Sequence, residues 1–516
     1  MIVMLTGCGN TAPSVDETGK KPDQEQSQEV NGEEITTTES ATQADSVNTN
    51  ISVEIRNESD EKYSDSDDDV LLITSYYEYP VVTMVDTAVS DKIAAYYDKD
   101  KETMDQAVEE YIGYAKEDYD YRMTLEDPFW AEYSVDTYTT KQRVDDRIIS
   151  FQGDSYEFTG GAHGNPARYG VNFDARTGEK LTLSDVVKSE ADFRTFEEQF
   201  IADQCKNLEF SQDLFEGYED SIKDILDDNT WLLTDRGLMI ICNPYLLGPY
   251  AMGTLDFTIP YEELGDYLKE DYMKTTTAAV FPIDFDEKVE ADVDNDGTID
   301  IVQIKTMYSD DYSDITITVC VNDKAVDIEE AFGNTGSAYF IRKEDGSCGV
   351  MFNADYSSDD YNTYIYRLDS GTPEQTAIVF ADFDKASITP VDLKMCFKVD
   401  ILGTWTGKLN YCIDDKWTLS TTDTEYVLMN GVDYAYSRSI VPTTNIASYS
   451  EDGLTQNADI APGTAIYPVK TDGENFMIYE TEDGSRGRIN FTKKDGVIYI
   501  DGVSEAELFE ELPYAG

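Results

Sequence analysis

Polar positions dominate the start of the chain. From Asn10 to Asp69 it is rich in Ser, Thr, Gln, Glu and Asp, and large apolar residues are few. Such a segment cannot bury enough surface to offset chain entropy, so residues 9–69 are expected to be a disordered polar tether. The pattern changes at Val70-Leu71-Leu72-Ile73, which reads as a strand and is followed by Tyr79-Pro80-Val81-Val82. Apolar residues then recur at helical spacing: Ile93, Tyr96, Tyr97, Met104, Ala107, Val108, Tyr111, Ile112 and Ala115. That spacing predicts one or two helices, broken near 98–100. Strands are expected at 133–138 and 146–151. Two further helices are expected, one carrying Phe193, Phe196, Phe200 and Ile201, the other Leu214, Phe215, Tyr218, Ile222, Ile225 and Leu226. Strands return at 231–242 and 255–259. Strand and helix without strict alternation predict an α+β region over 70–275.

Beyond 280 the period shortens. Ile315, Ile317, Val319 and Val321 alternate with polar partners, and Tyr339-Phe340-Ile341 and 363–368 read as further strands. Residues 280–400 are therefore expected to form a β-rich domain. A third region, 401–516, carries short strands at 464–469, 476–480 and 487–490. They are separated by the hairpin signals Asp472-Gly473 and Asp483-Gly484, and a short helix at 504–508 closes the chain. This spacing resembles bacterial SH3-like domains, which often bind cell-wall components. The predicted class is α+β, an N-terminal α+β region followed by β-rich domains.

The sharpest chemical motif is Asp292-Val293-Asp294-Asn295-Asp296-Gly297-Thr298-Ile299-Asp300. Alternating carboxylates can wrap a hard cation, a glycine permits the sharp turn, and the seventh position offers a backbone carbonyl. The expected Ca²⁺ ligands are Asp292, Asp294, Asp296, the carbonyl of Thr298, and Asp300. Position twelve is Gln303 rather than the bidentate Glu of an EF-hand, and the flanks, 288–291 and 299–304, read as strands. The motif resembles the calcium loops of FG-GAP and VCBS-type β repeats, although a single copy does not make a propeller.

Charge narrows the partners. The 516 residues include 39 Lys+Arg against 105 Asp+Glu, a formal net charge of −66. Such a chain repels phosphate backbones, so nucleic acid is not expected as a partner, while cations and basic proteins are attracted. The seven cysteines, Cys8, Cys205, Cys242, Cys320, Cys348, Cys396 and Cys412, form no C-x-x-C pair, and the single His163 rules out a multi-histidine metal site. With Cys8 set aside, the other six are read first as small buried apolar residues.

Cys8 closes the run Leu5-Thr6-Gly7-Cys8, which follows a short apolar stretch. This resembles the lipobox of bacterial lipoproteins, in a truncated signal that lacks the charged n-region and most of the h-region. It implies lipidation at Cys8 and a place on the extracytoplasmic face of the cell membrane or the cell surface. No later segment has the roughly 18 continuous apolar residues of a membrane helix.

Three local signatures mark the first folded region. They are Tyr156-Glu157-Phe158-Thr159-Gly160-Gly161-Ala162-His163-Gly164-Asn165, the stretch from Phe173 to Asp185 around Gly178, and Asn243-Pro244-Tyr245-Leu246-Leu247-Gly248-Pro249-Tyr250-Ala251-Met252-Gly253. Gly160, Gly161 and Gly164 point to positive φ or close backbone approach. His163 is read as a structural or ligand-contacting residue rather than a general base, which would need a nucleophile and an orienting group. Together the three stretches resemble the paired domains of unknown function found in RsiV-type lysozyme-sensing anti-sigma factors and PdaC-type peptidoglycan deacetylases, over about 70–270. The resemblance implies an extracellular ligand-binding part, with Gly160, Gly161, His163, Tyr245 and Tyr250 as candidate contacts. A lysozyme-like protein and a cell-wall glycan are the candidate ligands. Neither a deacetylase domain nor a sigma-binding segment is recognisable, so neither activity is expected. The competing readings are an enzyme acting on peptidoglycan through carboxylates, for which no pair stands out, and a structural surface protein.

Overall fold

The computed structural model describes residues 51–64 and 70–515, apart from 209, 275, 310–313, 329, 331, 356–360 and 432–436. Cys8 and most of the expected tether lie outside the described residues. The tether reading fails at its end: β1 (Ser52–Tyr63) is a strand. It pairs antiparallel along its whole length with β2 (Leu71–Thr83). Val53 is buried and Ile51 and Ile55 pack against the same core. This alternation, though short and set among charges, is enough for an edge strand.

From β2 the chain enters α1 (Thr87–Arg122), which returns it to β3 (Tyr133–Val144), parallel to β2. The expected break near 98–100 does not occur. No Gly or Pro interrupts the segment there, Lys101 and Asp105 form an i,i+4 pair at 2.6 Å, and Asp100 turns inward to accept from Tyr77 Oη at 3.0 Å. Val89, Ile93, Tyr97, Met104, Val108 and Ala115 line its buried face. Antiparallel β4 (Ile148–Phe158) and β5 (Asn165–Asp174) complete a five-stranded sheet in the order β1-β2-β3-β4-β5.

The next part packs a short α2 (Leu183–Val186) and an 18-residue α3 (Glu190–Asn207) against a three-stranded sheet. That sheet comprises β6 (Trp231–Leu233), β7 (Gly237–Cys242) and β8 (Leu255–Pro260), followed by α4 (Tyr261–Leu264). The helix expected over 214–226 is replaced by 3₁₀ turns at Ser211–Asp213 and Tyr218–Asp224, because Gly217 takes a left-handed conformation between them. Ile222, Ile225 and Leu226 are buried all the same. Arg143, 2 % exposed, ties the two parts together. It donates to Asp145 at 2.6 Å, to Tyr261 Oη at 2.6 Å and to the Tyr272 carbonyl at 2.9 Å.

The remainder is β-structure. Strand β9 (Ala279–Ile283) joins the five-stranded sheet β17-β16-β15-β14-β9, whose other members are β14 (Asn334–Arg342), β15 (Cys348–Asp355), β16 (Tyr361–Arg367) and β17 (Glu374–Val379). Strands β10 (Val289–Ala291), β11 (Asp300–Tyr308), β12 (Ile315–Val321) and β13 (Lys324–Asp327) form a four-stranded sheet sharing one core with it. The other face of the five-stranded sheet packs on β18 (Asp382–Phe383), β19 (Asp392–Asp400) and β20 (Thr404–Ile413). Those strands begin an eight-stranded sheet that takes in β21 (Leu419–Ser420), β22 (Tyr426–Leu428), β23 (Tyr467–Thr471), β24 (Phe476–Glu480) and β25 (Arg486–Asn490). Strands β26 (Thr492–Lys494), β27 (Val497–Ile500), β28 (Val503–Ser504) and helix α5 (Glu505–Leu508) end the chain.

A boundary at 400/401 is therefore wrong. It cuts the β19–β20 hairpin, and Ile413 and Trp417 share a core with Val280, Tyr339 and Met351. All described residues belong to one compact unit, β-rich with few helices, the two long ones both in its N-terminal half. Among them no helix is long and apolar enough to cross a membrane. Cys205, Cys242, Cys320 and Cys348 are buried and free, Cys396 is half-buried, and Cys412 is exposed.

Candidate functional site

Strand β4 and strand β5 are joined by the Gly-rich turn, and the structure gives its glycines different roles. Gly160 has φ +75°, and its carbonyl accepts from Arg122 Nη2 at 2.9 Å. Gly164 lies under the ring of Tyr156, where an added Cβ would come within 2.3 Å of the ring. Gly161 needs neither freedom: its φ is ordinary and the nearest atom to an added Cβ is 3.5 Å away. Held between these fixed points, His163 is exposed, with Nδ1 2.9 Å from the carbonyl of Gly164. A carbonyl only accepts, so Nδ1 carries the proton, and the orienting contact is backbone rather than the carboxylate of a catalytic relay.

The loop between β7 and β8 supplies the opposing face. Asn243 locks it to β5, accepting from Arg168 N at 2.7 Å and donating to the Arg168 carbonyl at 2.9 Å. Leu247 is buried, and Gly248 allows the Met252 sulfur to approach within 2.1 Å of where a Cβ would stand. So anchored, the loop holds Tyr245 55 % exposed in a left-handed conformation, φ 71°. A tyrosine at positive φ costs on the order of 1–3 kcal/mol, a strain that clusters at ligand sites. The Tyr250 ring stacks on His163 at 4.0 Å and 22°, and Tyr245 lies 5.8 Å beyond it. Three rings thus stand in series across two chain segments 80 residues and more apart. Pro249, Ala251 and Met252, flanking Tyr250, also line a cleft of about 480 Å³ with Phe210 and Asp213. Behind the rings, Arg168 bridges Asp154 at 2.7 Å and Asp256, fixing β5 to β8.

The Asp-rich loop is a second, separate place. It joins β10 to β11, and the Ala291–Asp300 pair closes it, so the expected flanking strands are present. Asn295 and Gly297 both have positive φ, 57° and 84°, which reverses the chain. Asp292 accepts from the amides of Asp296 at 3.1 Å and Gly297 at 2.9 Å, and Asp300 from those of Val293 at 3.2 Å and Asn322 Nδ2 at 2.6 Å. Carboxylate oxygens of Asp292, Asp294 and Asp300 lie within 4.8 Å of one another. Asp296 is not in that group; its carboxylate caps Thr298 N at 2.7 Å. Gln303 is tied to the Asp286 carbonyl at 2.7 Å. Three convergent hard oxygen donors fit a Ca²⁺ ion, with Asp292, Asp294 and Asp300 as the residues that would hold it.

Comparison with known proteins divides the N-terminal half along these same lines. Residues 64–166 match the family model described as deacetylase PdaC, and residues 183–262 match that of a protein of unknown function, DUF3298. No curated protein matches the chain. Among solved structures it is similar to a DUF3298 family member from Bacteroides fragilis, at 20 % identity and TM-score 0.34, over 42 % of this chain and 94 % of that one. It is also similar to a DUF3298 family protein from Pseudomonas aeruginosa, at 17 % identity and TM-score 0.30, over 43 % of this chain and 96 % of that one. The chain carries a PdaC-type and a DUF3298-type domain side by side, and the stack of His163 on Tyr250 joins the one to the other.

Proposed function

We propose that this chain is an extracytoplasmic binding protein, anchored by lipid at Cys8, whose His163–Tyr250–Tyr245 series recognises a basic protein of the lysozyme kind. The observation that carries the reading is the ring series itself. Aromatic side chains that are rigid, partly exposed and held by strained or anchored backbone are the usual energetic centres of recognition surfaces. The net charge of −66 favours a cationic partner. The Asp292–Asp300 loop is proposed to bind one Ca²⁺ as a structural ion, and the C-terminal strands to face the cell wall as SH3-like modules do.

The test is binding of lysozyme to the full chain at physiological salt, with cytochrome c as an equally basic control. Lysozyme is expected to bind and cytochrome c not, and His163→Ala or Tyr250→Ala to weaken binding at least tenfold without changing the melting temperature. Binding of both proteins at low salt only would reduce the attraction to charge. Binding of muropeptides in place of lysozyme would make the rings a glycan platform. Anchoring is checked separately: fatty-acid labelling is expected in the wild type and lost in Cys8→Ser, and equal labelling would remove the anchor.

A further inference from the structure

Far from the ring series, a cleft of about 270 Å³ opens between β3, β19 and the turn 384–390. Its walls are partly apolar, with Val53, Val144, Val280 and Ile388, and three charged residues line it, Lys141, Lys394 and Asp235. The aspartates beside it are held by other lysines. Asp235 holds Lys274 at 2.9 Å and accepts from Val280 N at 2.8 Å. Asp384 holds Lys408 at 2.6 Å and accepts from Ala386 N at 3.1 Å. Both of these aspartates are thus already matched to a lysine. Lys141 has only the Ile388 carbonyl, at 2.6 Å, and no carboxylate of a described residue lies within ion-pair distance of Lys141 or Lys394. Glu54, on the adjoining β1, pairs with Arg56 at 3.4 Å. Among the residues that line the cleft, two lysines thus face one aspartate, and Lys274 already holds that aspartate.

We propose that this cleft is an oxyanion site, in which Lys141 and Lys394 hold the phosphate or carboxylate group of a small ligand. A part-buried ammonium with no carboxylate at ion-pair distance is costly, and an incoming anion would lower that cost. Lys141 keeps two further N–H donors for it beyond the one spent on Ile388. The volume suits one anionic group and its immediate substituent rather than a large ligand. The acidic exterior repels free anions, so background binding is low and local binding stands out. Burial pulls the Lys141 ammonium down to about 8, so it is charged at neutral pH and discharges just above it.

Calorimetric titration of the full chain with inorganic phosphate, and separately with acetate, tests the proposal. One saturable site is expected, weakened at least tenfold in Lys141→Met and in Lys394→Gln, and lost in the wild type as pH rises past 8. Lys394 is half-buried on a strand, so its variant keeps the test open if Lys141→Met fails to fold. Phosphate binding alone would identify a phosphoryl ligand, and binding of acetate as well a carboxylate. Binding of neither anion, or binding untouched by Lys394→Gln, overturns the site.

Discussion

Glu197 shows what a single residue can cost. It occupies the buried stripe of α3 with Phe193, Ile201 and Cys205, four residues apart, and is 1 % exposed. Its Oε1 has no hydrogen-bond partner. Burial pushes its carboxyl up to about 8, so the folded protein holds a proton there that the unfolded chain releases above about 4.5. The sign follows. Stability is full below the unfolded value and declines as pH rises through the window up to about 8. Glu197→Leu is therefore expected to raise stability at neutral pH by about 3 kcal/mol, the gap shrinking to a small remainder near pH 4. Urea unfolding at the two pH values checks it, and an equal gain at both would mean that Glu197 is not protonated in the folded state. Some of this scale was legible in the sequence: Gly160 and Gly164 behave as glycines read for positive φ and close approach. Glu197 was not, because a carboxylate inside an apolar stripe looks like any solvated helix position until its neighbours are known. Lys141 escaped for the same reason, since only the fold reveals which carboxylates its neighbours have already taken.

At the scale of elements, local rules were good guides wherever local forces decide. The hairpins at 472–473 and 483–484 form, with Gly473 and Gly484 both at φ 79°. The Asp-rich loop sits between two strands, as its flanks foretold. Failures came where tertiary packing decides. Strand β15 is buried at every position because the sheet is covered on both faces, so it shows no alternation to read. The 400/401 boundary fell beside Leu402 and Gly403, whose positive φ makes a tight hairpin rather than a linker. The loop itself yields a prediction that separates metal binding from folding. Asp294 makes one long contact within it, 3.3 Å to Asp296 N, whereas Asp292 holds two backbone amides. Asp294→Ala is expected to lower Ca²⁺ affinity at least tenfold while leaving the metal-free melting temperature nearly unchanged. Asp292→Ala is expected to lower both. Calcium should raise the wild-type melting temperature, because a ligand of the folded state alone stabilises it. Calorimetry that finds no calcium binding by the full chain would remove the ion.

The whole molecule acts through its field. A surplus of acidic groups this large creates a long-range potential that steers a cationic partner and raises the encounter rate, while contacts made after docking set how long the complex lasts. Salt separates the two. Between low and physiological ionic strength the Debye length contracts to about 8 Å, which weakens steering but leaves packed contacts nearly unscreened. If the rings joining the PdaC-type and DUF3298-type domains are the docking centre, the on-rate for lysozyme should fall steeply with salt and the off-rate should change little. Tyr250→Ala should do the reverse, raising the off-rate at every salt concentration while leaving the on-rate and its salt slope as in the wild type. Neutralising acidic residues remote from the rings should lower the on-rate alone. Surface-plasmon kinetics across a salt series reads all three. An off-rate that climbs with salt as strongly as the on-rate falls would place the binding energy in diffuse charge, and the ring series would then have no part in recognition.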